Sequence, residues 1–170
     1  TKIEANTSIG IVGQTGAGKT TFGNLILGLI KPSSGSIKLT NRLIKTDDDI
    51  KNWQKNISFV PQNLFLLETT IKNNIAFTYD EKLIDEKKLQ KSCDQAQLLD
   101  FINSLEDGYN TKVGEKGMKL SGGQQQRIGI ARAIYNDTNI LFFDEATSAL
   151  DGLTEEKVIS SLRKNNDKTI

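Results

Sequence analysis

The stretch GQTGAGKT, Gly13 to Thr20, joins two segments with different hydrophobic patterns. Before it, the short apolar run SIGIV from Ser8 to Val12 is typical of a buried strand. After it, apolar residues recur at helical spacing from Lys19 to Ile30. The sequence therefore predicts a strand, a glycine-rich loop and a helix in direct succession.

The loop itself matches the P-loop pattern, a glycine, four further residues and then Gly-Lys-Thr. Consecutive backbone N-H groups in such a loop, opening onto a helix N-terminus, are fixed donors for a triphosphate. In this pattern Lys19 reaches the β- and γ-phosphates and the Thr20 hydroxyl binds Mg²⁺. A tight turn that merely needs glycine is the alternative, and the match over eight residues argues against it. We predict phosphate contacts from Gly13, Gln14, Thr15, Gly16, Ala17, Gly18, Lys19, Thr20 and Thr21.

A second chemical signal is ILFFDE, in which the apolar run Ile140 to Phe143 precedes two acids. A strand that is apolar on both faces is expected at the centre of a parallel sheet covered by helices. Its carboxyl end is the edge where ligands of open α/β sheets bind. Asp144 is then placed to organise Mg²⁺ and Glu145 to polarise an attacking water. Two acids after a strand are also typical of a solvated helix start, so this motif depends on the P-loop for its interpretation.

The remaining pattern predicts an α/β fold with a mainly parallel sheet. The runs SIKL and RLI predict a small antiparallel piece, and Ile57 to Val60 predicts a buried strand that ends at Pro61. Residues 70–136 have mainly helical patterns, and Leu153 to Lys164 predicts a further helix. The final KTI is typical of the start of a strand. We expect one domain, with a core of residues 1–65 and 137–170 and a helical subdomain of about residues 66–136.

Composition excludes several classes of protein. Lysine and arginine total 22 against 21 acidic residues in 170, and the net charge of +1 offers no basic field for nucleic acid or an anionic membrane. With one cysteine, Cys93, and no histidine, an internal disulfide is excluded and thiolate or imidazole metal sites are disfavoured. The apolar runs are too short to cross a bilayer. The sequence begins with Thr1 and shows no signal peptide, so we expect a piece of a longer polypeptide.

Five motifs in order resemble those of the nucleotide-binding domain of ATP-binding cassette (ABC) transporters, and the resemblance covers essentially all 170 residues. They are GQTGAGKT (Walker A), Gln62 after SFVP (Q-loop), LSGGQ at Leu120 to Gln124 (signature), ILFFDE (Walker B) and SALD at Ser148 to Asp151 (D-loop).

The resemblance implies a head-to-tail dimer in which ATP lies between the P-loop of one domain and the signature of the other. It would explain LSGGQQQ, because two glycines and three glutamines give a helix start no apolar face. The Ser121 hydroxyl and the Gly122 and Gly123 amides would then contact the γ-phosphate, as helix N-termini bind anions. The implied cofactors are ATP and Mg²⁺. The implied catalytic residues are Glu145, Lys19 and Gln62, the metal ligands are Thr20, Gln62 and Asp144, and the signature ligands are Ser121, Gly122, Gly123 and Gln124.

Two further segments resemble those of exporters: TKVGEKG, Thr111 to Gly117, the X-loop that touches the membrane domain, and ETTIKNNIAF, Glu68 to Phe77. A plain glycine turn and a plain amphipathic helix are the alternatives. The resemblance to exporters implies that a transmembrane domain is present on the same polypeptide. It also implies that this domain lies at the cytoplasmic face of a bacterial inner membrane. Lipid and lipid-linked oligosaccharide flippases fit first, then peptide or drug exporters. A cytosolic ABC ATPase acting on nucleic acid or ribosomes, and a decayed regulatory nucleotide binder, are the other hypotheses.

The chain departs from the family pattern in two places. No aromatic residue precedes the P-loop to stack on adenine, since the first is Phe22, and no switch histidine follows KTI. We therefore expect the chain alone to bind ATP weakly and to hydrolyse it poorly. Outside the motifs, Cys93 is expected to be a small packing residue. Trp53 is expected to lie partly in the core, with a surface facing the membrane domain as the alternative. Phe65 to Leu67 is either an exposed coupling surface or a core segment.

Overall fold

A computed structural model describes residues 1–40, 42–164 and 168–170. Its helices and strands are, in chain order, α1 (Lys19–Ile26), β1 (Ile37–Leu39), β2 (Arg42–Ile44), α2 (Asp47–Gln54), β3 (Ile57–Val60), α3 (Ile71–Ala76), α4 (Glu86–Gln95), α5 (Leu99–Asn103), α6 (Gly122–Tyr135), β4 (Ile140–Phe143) and α7 (Gly152–Lys164). Short 3₁₀ turns lie at Glu81–Leu83, Gly108–Asn110 and Glu115–Gly117.

Strands β3 and β4 pair in parallel and form the centre of the fold. Their register runs from Ile57 opposite Ile140 to Val60 opposite Phe143. On its other side β4 bridges to Thr169, whose carbonyl accepts a bond from the Leu141 amide at 2.9 Å. Strand β4 is therefore central, as predicted, and the KTI segment lies beside it in parallel.

The predicted strand at Ser8 to Val12 is not formed. The Ile9 amide donates to the Ile170 carbonyl at 2.8 Å and the Ile170 amide donates to the Thr7 carbonyl at 2.9 Å, but the described residues show no further pairing of this segment. Val12 is 92% exposed. Within the described residues, no strand pairs with residues 10–12.

Helix α1 is also shorter than predicted, since it ends at Ile26 and not at Ile30. Gly28, two residues after the end of the helix, has a φ of 67°, a left-handed conformation that does not continue an α-helix. Trp53 packs against this end half-buried, and its indole donates to the Ile26 carbonyl at 2.5 Å. Trp53 is therefore half-buried, but it lies against the end of α1 and not in the main core cluster.

Helices cover both faces of the β3–β4 pair, which confirms the α/β class. On one face a Cβ added to Gly23 of α1 would lie 2.9 Å from the Phe142 ring. On the other, a Cβ added to Gly129 of α6 would lie 3.0 Å from Leu64 and 3.3 Å from Val60. Helix and sheet therefore approach closely at two glycines.

The main core is built around α6, with α3 and α4 packed against it and α7 packed against α4. Ile128, Ala131 and Tyr135 are all buried, which confirms the predicted apolar face of the signature helix. Cys93 is fully buried beside Tyr109, and burial raises the pKa of its thiol to about 12. It is a packing residue, as predicted.

The middle of the chain is helical, as predicted, but less continuous than its pattern. The amphipathic stretch around Cys93 divides into α4 and α5 because Gln97 takes a positive φ of 56°. Phe65 is 64% exposed whereas Leu66 is 3% exposed, so that segment contributes to both surface and core. The subdomain boundaries near residues 65 and 137 stay a prediction. Within the described ranges, no helix has the length and apolar character needed to span a membrane.

Candidate functional site

The glycine-rich loop before α1 leaves the start of that helix open. Gly18 precedes the helix with a φ of 89°, and no side chain caps the first turn. Gly16 has a φ of 82°. A Cβ added at Gly16 or Gly18 would meet no atom within 4 Å, so the backbone conformation and not packing within the chain requires glycine there. The first-turn amides are therefore available to an anion.

Lys19 closes over this loop. Its ammonium Nζ lies 2.8 Å from the Gly13 carbonyl oxygen and 3.2 Å from that of Gln14. The Ala17 amide donates to Gln14 at 3.0 Å and completes the turn. The predicted phosphate ligands 13–21 thus form an exposed loop and the first turn of α1, with the Lys19 ammonium against the loop carbonyls.

Gln62, Asp144 and Glu145 meet at the carboxyl ends of β3 and β4. The Asp144 amide donates to the Val60 carbonyl at 3.0 Å, which extends the parallel ladder by one residue. Directly after it, Glu145 takes a left-handed φ of 49°, an uncommon conformation for a residue other than glycine. Gln62 Nε2 donates to Glu145 Oε2 at 2.8 Å. Two residues that are 83 positions apart in the chain are therefore paired at this edge.

The predicted metal ligands offer only oxygen atoms. Thr20 has a hydroxyl, Asp144 a half-buried carboxylate, and Gln62 an amide oxygen that remains after its nitrogen has donated to Glu145. Hard oxygen donors of this kind suit Mg²⁺. The donor set therefore fits the ion that the sequence implies.

The signature segment begins α6 with a capping box. The Gln124 amide donates to Ser121 Oγ at 3.2 Å, and the Ser121 amide donates to Gln124 Oε1 at 2.8 Å. An open depression of about 420 Å³ lies over this helix start, and the residues with polar groups that line it are Ser121, Gly122, Gly123, Arg127, Asp151 and Thr154. Amides, hydroxyls, one guanidinium and the Asp151 carboxylate thus surround a single depression at a helix N-terminus.

Each of the three glutamines in LSGGQQQ bonds to a different segment. Gln124 completes the capping box. The side-chain amide of Gln125 donates from Nε2 to the carbonyls of Gly117 at 3.1 Å and Leu120 at 3.3 Å. Gln126 accepts from the Ala149 amide at 2.8 Å and donates to Ser148 Oγ at 3.2 Å. These polar bonds explain a glutamine run that adds no apolar face.

Packing within the chain also requires one of the two glycines. A Cβ added to Gly123 would lie 2.9 Å from the Ala149 carbonyl oxygen, whereas one added to Gly122 would meet only ordinary contact at 3.5 Å. The sequence predicts that both glycines contact the γ-phosphate. Glycine is also required at position 123 by packing within the chain, because the Ala149 backbone lies directly against it.

Within the described residues, no hydrogen bond or ion pair joins the loop 13–21 to the segment 121–124. The two predicted halves of the phosphate site are thus not in direct polar contact within one chain.

The two exporter-like segments lie side by side. The Val113 amide donates to the Thr69 carbonyl and the Ile71 amide donates to the Thr111 carbonyl, both at 3.0 Å. Lys112 forms an antiparallel bridge with Thr70. Sequence reasoning treated these segments separately and did not find this contact.

Arg132 is another residue that sequence reasoning missed. Its guanidinium donates to the Asn74 carbonyl at 2.8 Å and the Phe65 carbonyl at 3.0 Å, and it lies 4.5 Å from the centre of the Phe77 ring. Burial lowers the pKa of this group to about 10. Its spacing of four residues from Ile128 was the available signal, since it places a charge beside the buried face of α6.

Comparison with known proteins shows that the chain is similar to ABC transporters. A family model described as "ABC transporter" matches residues 1–148. The chain is 41% identical over 172 residues to an ATP-dependent lipid A-core flippase of Wigglesworthia glossinidia brevipalpis, covering 99% of this chain and 29% of that protein. It is 43% identical over 162 residues to the chloroplastic ABC transporter B family member 29 of Arabidopsis thaliana, covering 95% of this chain and 25% of that protein.

The fold has a close counterpart among solved structures. A bacterial Atm1-family ABC exporter with ATP bound superposes with a TM-score of 0.86 at 36% identity, covering 96% of this chain and 29% of that chain. The chain therefore spans less than a third of the length of these relatives. With the P-loop, the Gln62–Glu145 pair and the capped signature helix in place, the chain belongs to the ABC transporter family.

Proposed function

We propose that this chain is the ATP-binding and ATP-hydrolysing domain of an ABC exporter or flippase. The observation that carries the proposal is the 2.8 Å bond between Gln62 and Glu145 at the carboxyl ends of β3 and β4. This edge is where open α/β sheets bind ligands, and the chain also has an uncapped P-loop helix. The similarity to exporters and a flippase supports the transport role.

The residues of this chain divide the chemistry between them. The loop amides and Lys19 would hold the phosphates of ATP, and Thr20, Gln62 and Asp144 would hold Mg²⁺, which would supply positive charge to neutralise the phosphates. Glu145 accepts the proton of the attacking water. Because Gln62 donates to Oε2 only, the second carboxylate oxygen of Glu145 remains for that proton.

A second nucleotide-binding domain completes the site. Ser121, Gly122 and Gly123 of one domain contact the γ-phosphate held by the P-loop of the other, in a head-to-tail pair of copies or of related chains. The separation of residues 13–21 from residues 121–124 within one chain supports this arrangement. Hydrolysis removes the phosphate that both domains grip, so ATP turnover drives opening of the pair.

We place the domain at the cytoplasmic face of a bacterial inner membrane, behind a transmembrane domain on the same polypeptide. Lipid-type cargo is the first candidate, because a lipid A-core flippase is among the relatives. The nucleic-acid alternative is not supported, since a flippase and an exporter are among the relatives and the net charge is only +1.

The chain by itself should be a weak ATPase. It has no aromatic residue before Phe22 to stack on adenine, and the segment 8–12 that leads into the P-loop is unpaired beyond Ile9. Nucleotide titration and phosphate release, compared with a polypeptide extended at both ends, test this. Equal affinity and equal rate in the two would contradict it.

The central experiment is Glu145→Gln in the full-length protein. We expect phosphate release to fall by about 10²-fold or more, with ATP binding retained and a nucleotide-bound dimer accumulating. Glu156→Gln, an exposed carboxylate on α7, is the matched control and should keep the parental rate. Unchanged hydrolysis in Glu145→Gln would show that another group is the base.

A further inference from the structure

Gln126 is a buried polar side chain that the chemistry above does not use. Its residue is 8% exposed, and both ends of its amide are bonded across to the segment after Glu145. The Ala149 amide donates to Gln126 Oε1 at 2.8 Å, and Gln126 Nε2 donates to Ser148 Oγ at 3.2 Å. A buried amide with both groups satisfied fixes the relative position of the elements it joins.

The segment that Gln126 holds is continuous with Glu145. The Ser148 amide donates to the Glu145 carbonyl at 3.1 Å, and the Leu150 amide donates to that of Thr147 at 3.0 Å. Two successive turns therefore run from Glu145 to Leu150. These two turn bonds connect the backbone at Glu145 to the residues that Gln126 bonds.

Ala149 is also in close contact with the first turn of α6. Its carbonyl oxygen passes so near Gly123 that an added Cβ would lie 2.9 Å away. Helix α6 thus contacts both polar groups of the Ala149 backbone, the amide through Gln126 and the carbonyl through Gly123. Ser121 and Gly122 stand on the same first turn.

We propose that Gln126 is a positioning residue that couples the turn after Glu145 to the start of α6, so that the place of Ser121 to Gly123 depends on the place of Glu145. The inference rests on the proposed function. There, Glu145 acts on the nucleotide held by its own P-loop, while Ser121 contacts the nucleotide held by the partner. Gln126 then links the position of Glu145 at one nucleotide site of a dimer to the position of Ser121 at the other site.

The test is Gln126→Met in the full-length protein, a change that keeps the length of the side chain and removes both bonds. Gln125→Met is the matched control, since Gln125 also donates two bonds from α6 but to Gly117 and Leu120. We expect Gln126→Met to lower kcat by about tenfold to a hundredfold with KM for ATP nearly unchanged, because misplacement impairs the reaction and not P-loop binding. Gln125→Met should keep kcat within about threefold of the parent, as expected for a bond outside this path.

Hydrogen exchange gives a second readout that needs no ATPase activity. The Ala149 amide should be protected in the nucleotide-free parent and exchange freely in Gln126→Met, and the start of α6 should lose protection with it. Failure of the parent to hydrolyse ATP would refute the proposed function, whereas this exchange pattern would still report on Gln126. Equal exchange at Ala149 in parent and variant would overturn the inference, as would an equal fall of kcat in the Gln125 control.

Ser148→Ala provides a milder variant should Gln126→Met fail to fold. It removes the Ser148 bond but leaves the Ala149 bond, so we expect a smaller fall in kcat. The double variant Gln126→Met with Ser148→Ala should be no slower than Gln126→Met alone, because both changes remove one shared bond. Strictly additive losses would overturn the coupling.

Discussion

At the scale of single residues, the signature segment shows one short sequence meeting several requirements. Ser121 and Gln124 cap the helix, Gln125 and Gln126 hold neighbouring segments, and Gly123 makes room for the Ala149 carbonyl. A helix start that looks unfavourable by propensity is therefore stabilised by tertiary contacts. Its exposed amides and hydroxyl remain available to a phosphate.

Gly123→Ala should destabilise the chain by about 1–3 kcal/mol, because the new Cβ overlaps backbone that cannot turn aside. The distance of that Cβ from the Ala149 oxygen would be 2.9 Å, against 3.5 Å to the nearest atom at Gly122. Thermal unfolding of the chain measures the effect, and Gly122→Ala is the control expected to unfold near the parental temperature. Equal unfolding temperatures for the two variants would show that the backbone at Ala149 moves to accommodate the new Cβ.

At the scale of elements, the starts of the longer helices differ in a way that matters for binding. Side chains cap α2, α4 and α6, through Thr46, Asp85 and Ser121, whereas α1 starts at Gly18 with none. An uncapped first turn leaves amides that need an external acceptor. Among these four helices, the one that follows the P-loop is therefore the one whose first turn has no side-chain acceptor of its own.

The cap of α2 predicts a dependence of stability on pH. The Thr46 backbone amide and hydroxyl, the Lys45 amide and Arg42 all bond to the Asp49 carboxylate and lower its pKa below the usual 3.8. A lowered folded-state pKa stabilises the fold above the unfolded value and loses that contribution as pH falls through the folded value. Asp49→Asn should therefore lower the unfolding temperature at neutral pH, with the difference from the parent shrinking below about pH 4.

Unfolding temperatures measured by circular dichroism between about pH 2 and pH 7 test this, since that interval spans the carboxyl range. Asp48→Asn is the control, because Asp48 is exposed in the same first turn of α2. A constant difference between Asp49→Asn and the parent across the whole range would contradict the assignment.

At the scale of the whole molecule, the proposed site is divided between two copies or two related domains. Within the described part of the chain, the P-loop residues 13–21 and the signature residues 121–124 make no polar contact with each other. The P-loop glycines and the signature surface are open to a partner. A shared site can be tested by mixing two variants that are each inactive alone.

For a pair made of two copies, Lys19→Ala and Ser121→Arg should each abolish hydrolysis, by removing the P-loop cation and blocking the signature. Mixing the two variants equally should restore about a quarter of the parental sites, because half the dimers are mixed and each has one intact site. Phosphate release measures the recovery. Mixing Lys19→Ala with the double variant Lys19→Ala plus Ser121→Arg should restore none, and recovery there would refute the shared site.

The sequence alone determined the parts whose physics is local. Glycines at Gly16 and Gly18 permit the loop, the apolar run Ile140–Phe143 makes a central strand, and helical spacing gives α6 its buried face. Each follows from residues within a few positions of one another. The motif spacing likewise identified the family, which the matched family model over residues 1–148 confirms.

Only the tertiary structure decided the contacts between residues far apart in the chain. It paired Gln62 with Glu145 across 83 positions, placed Ala149 over Gly123, and bonded Gln126 to the segment after Glu145. It also left Ser8 to Val12 without the predicted strand, because a strand needs a neighbour as well as an apolar pattern. Such contacts depend on how elements approach in space, and hydrophobic spacing along one chain does not specify that approach.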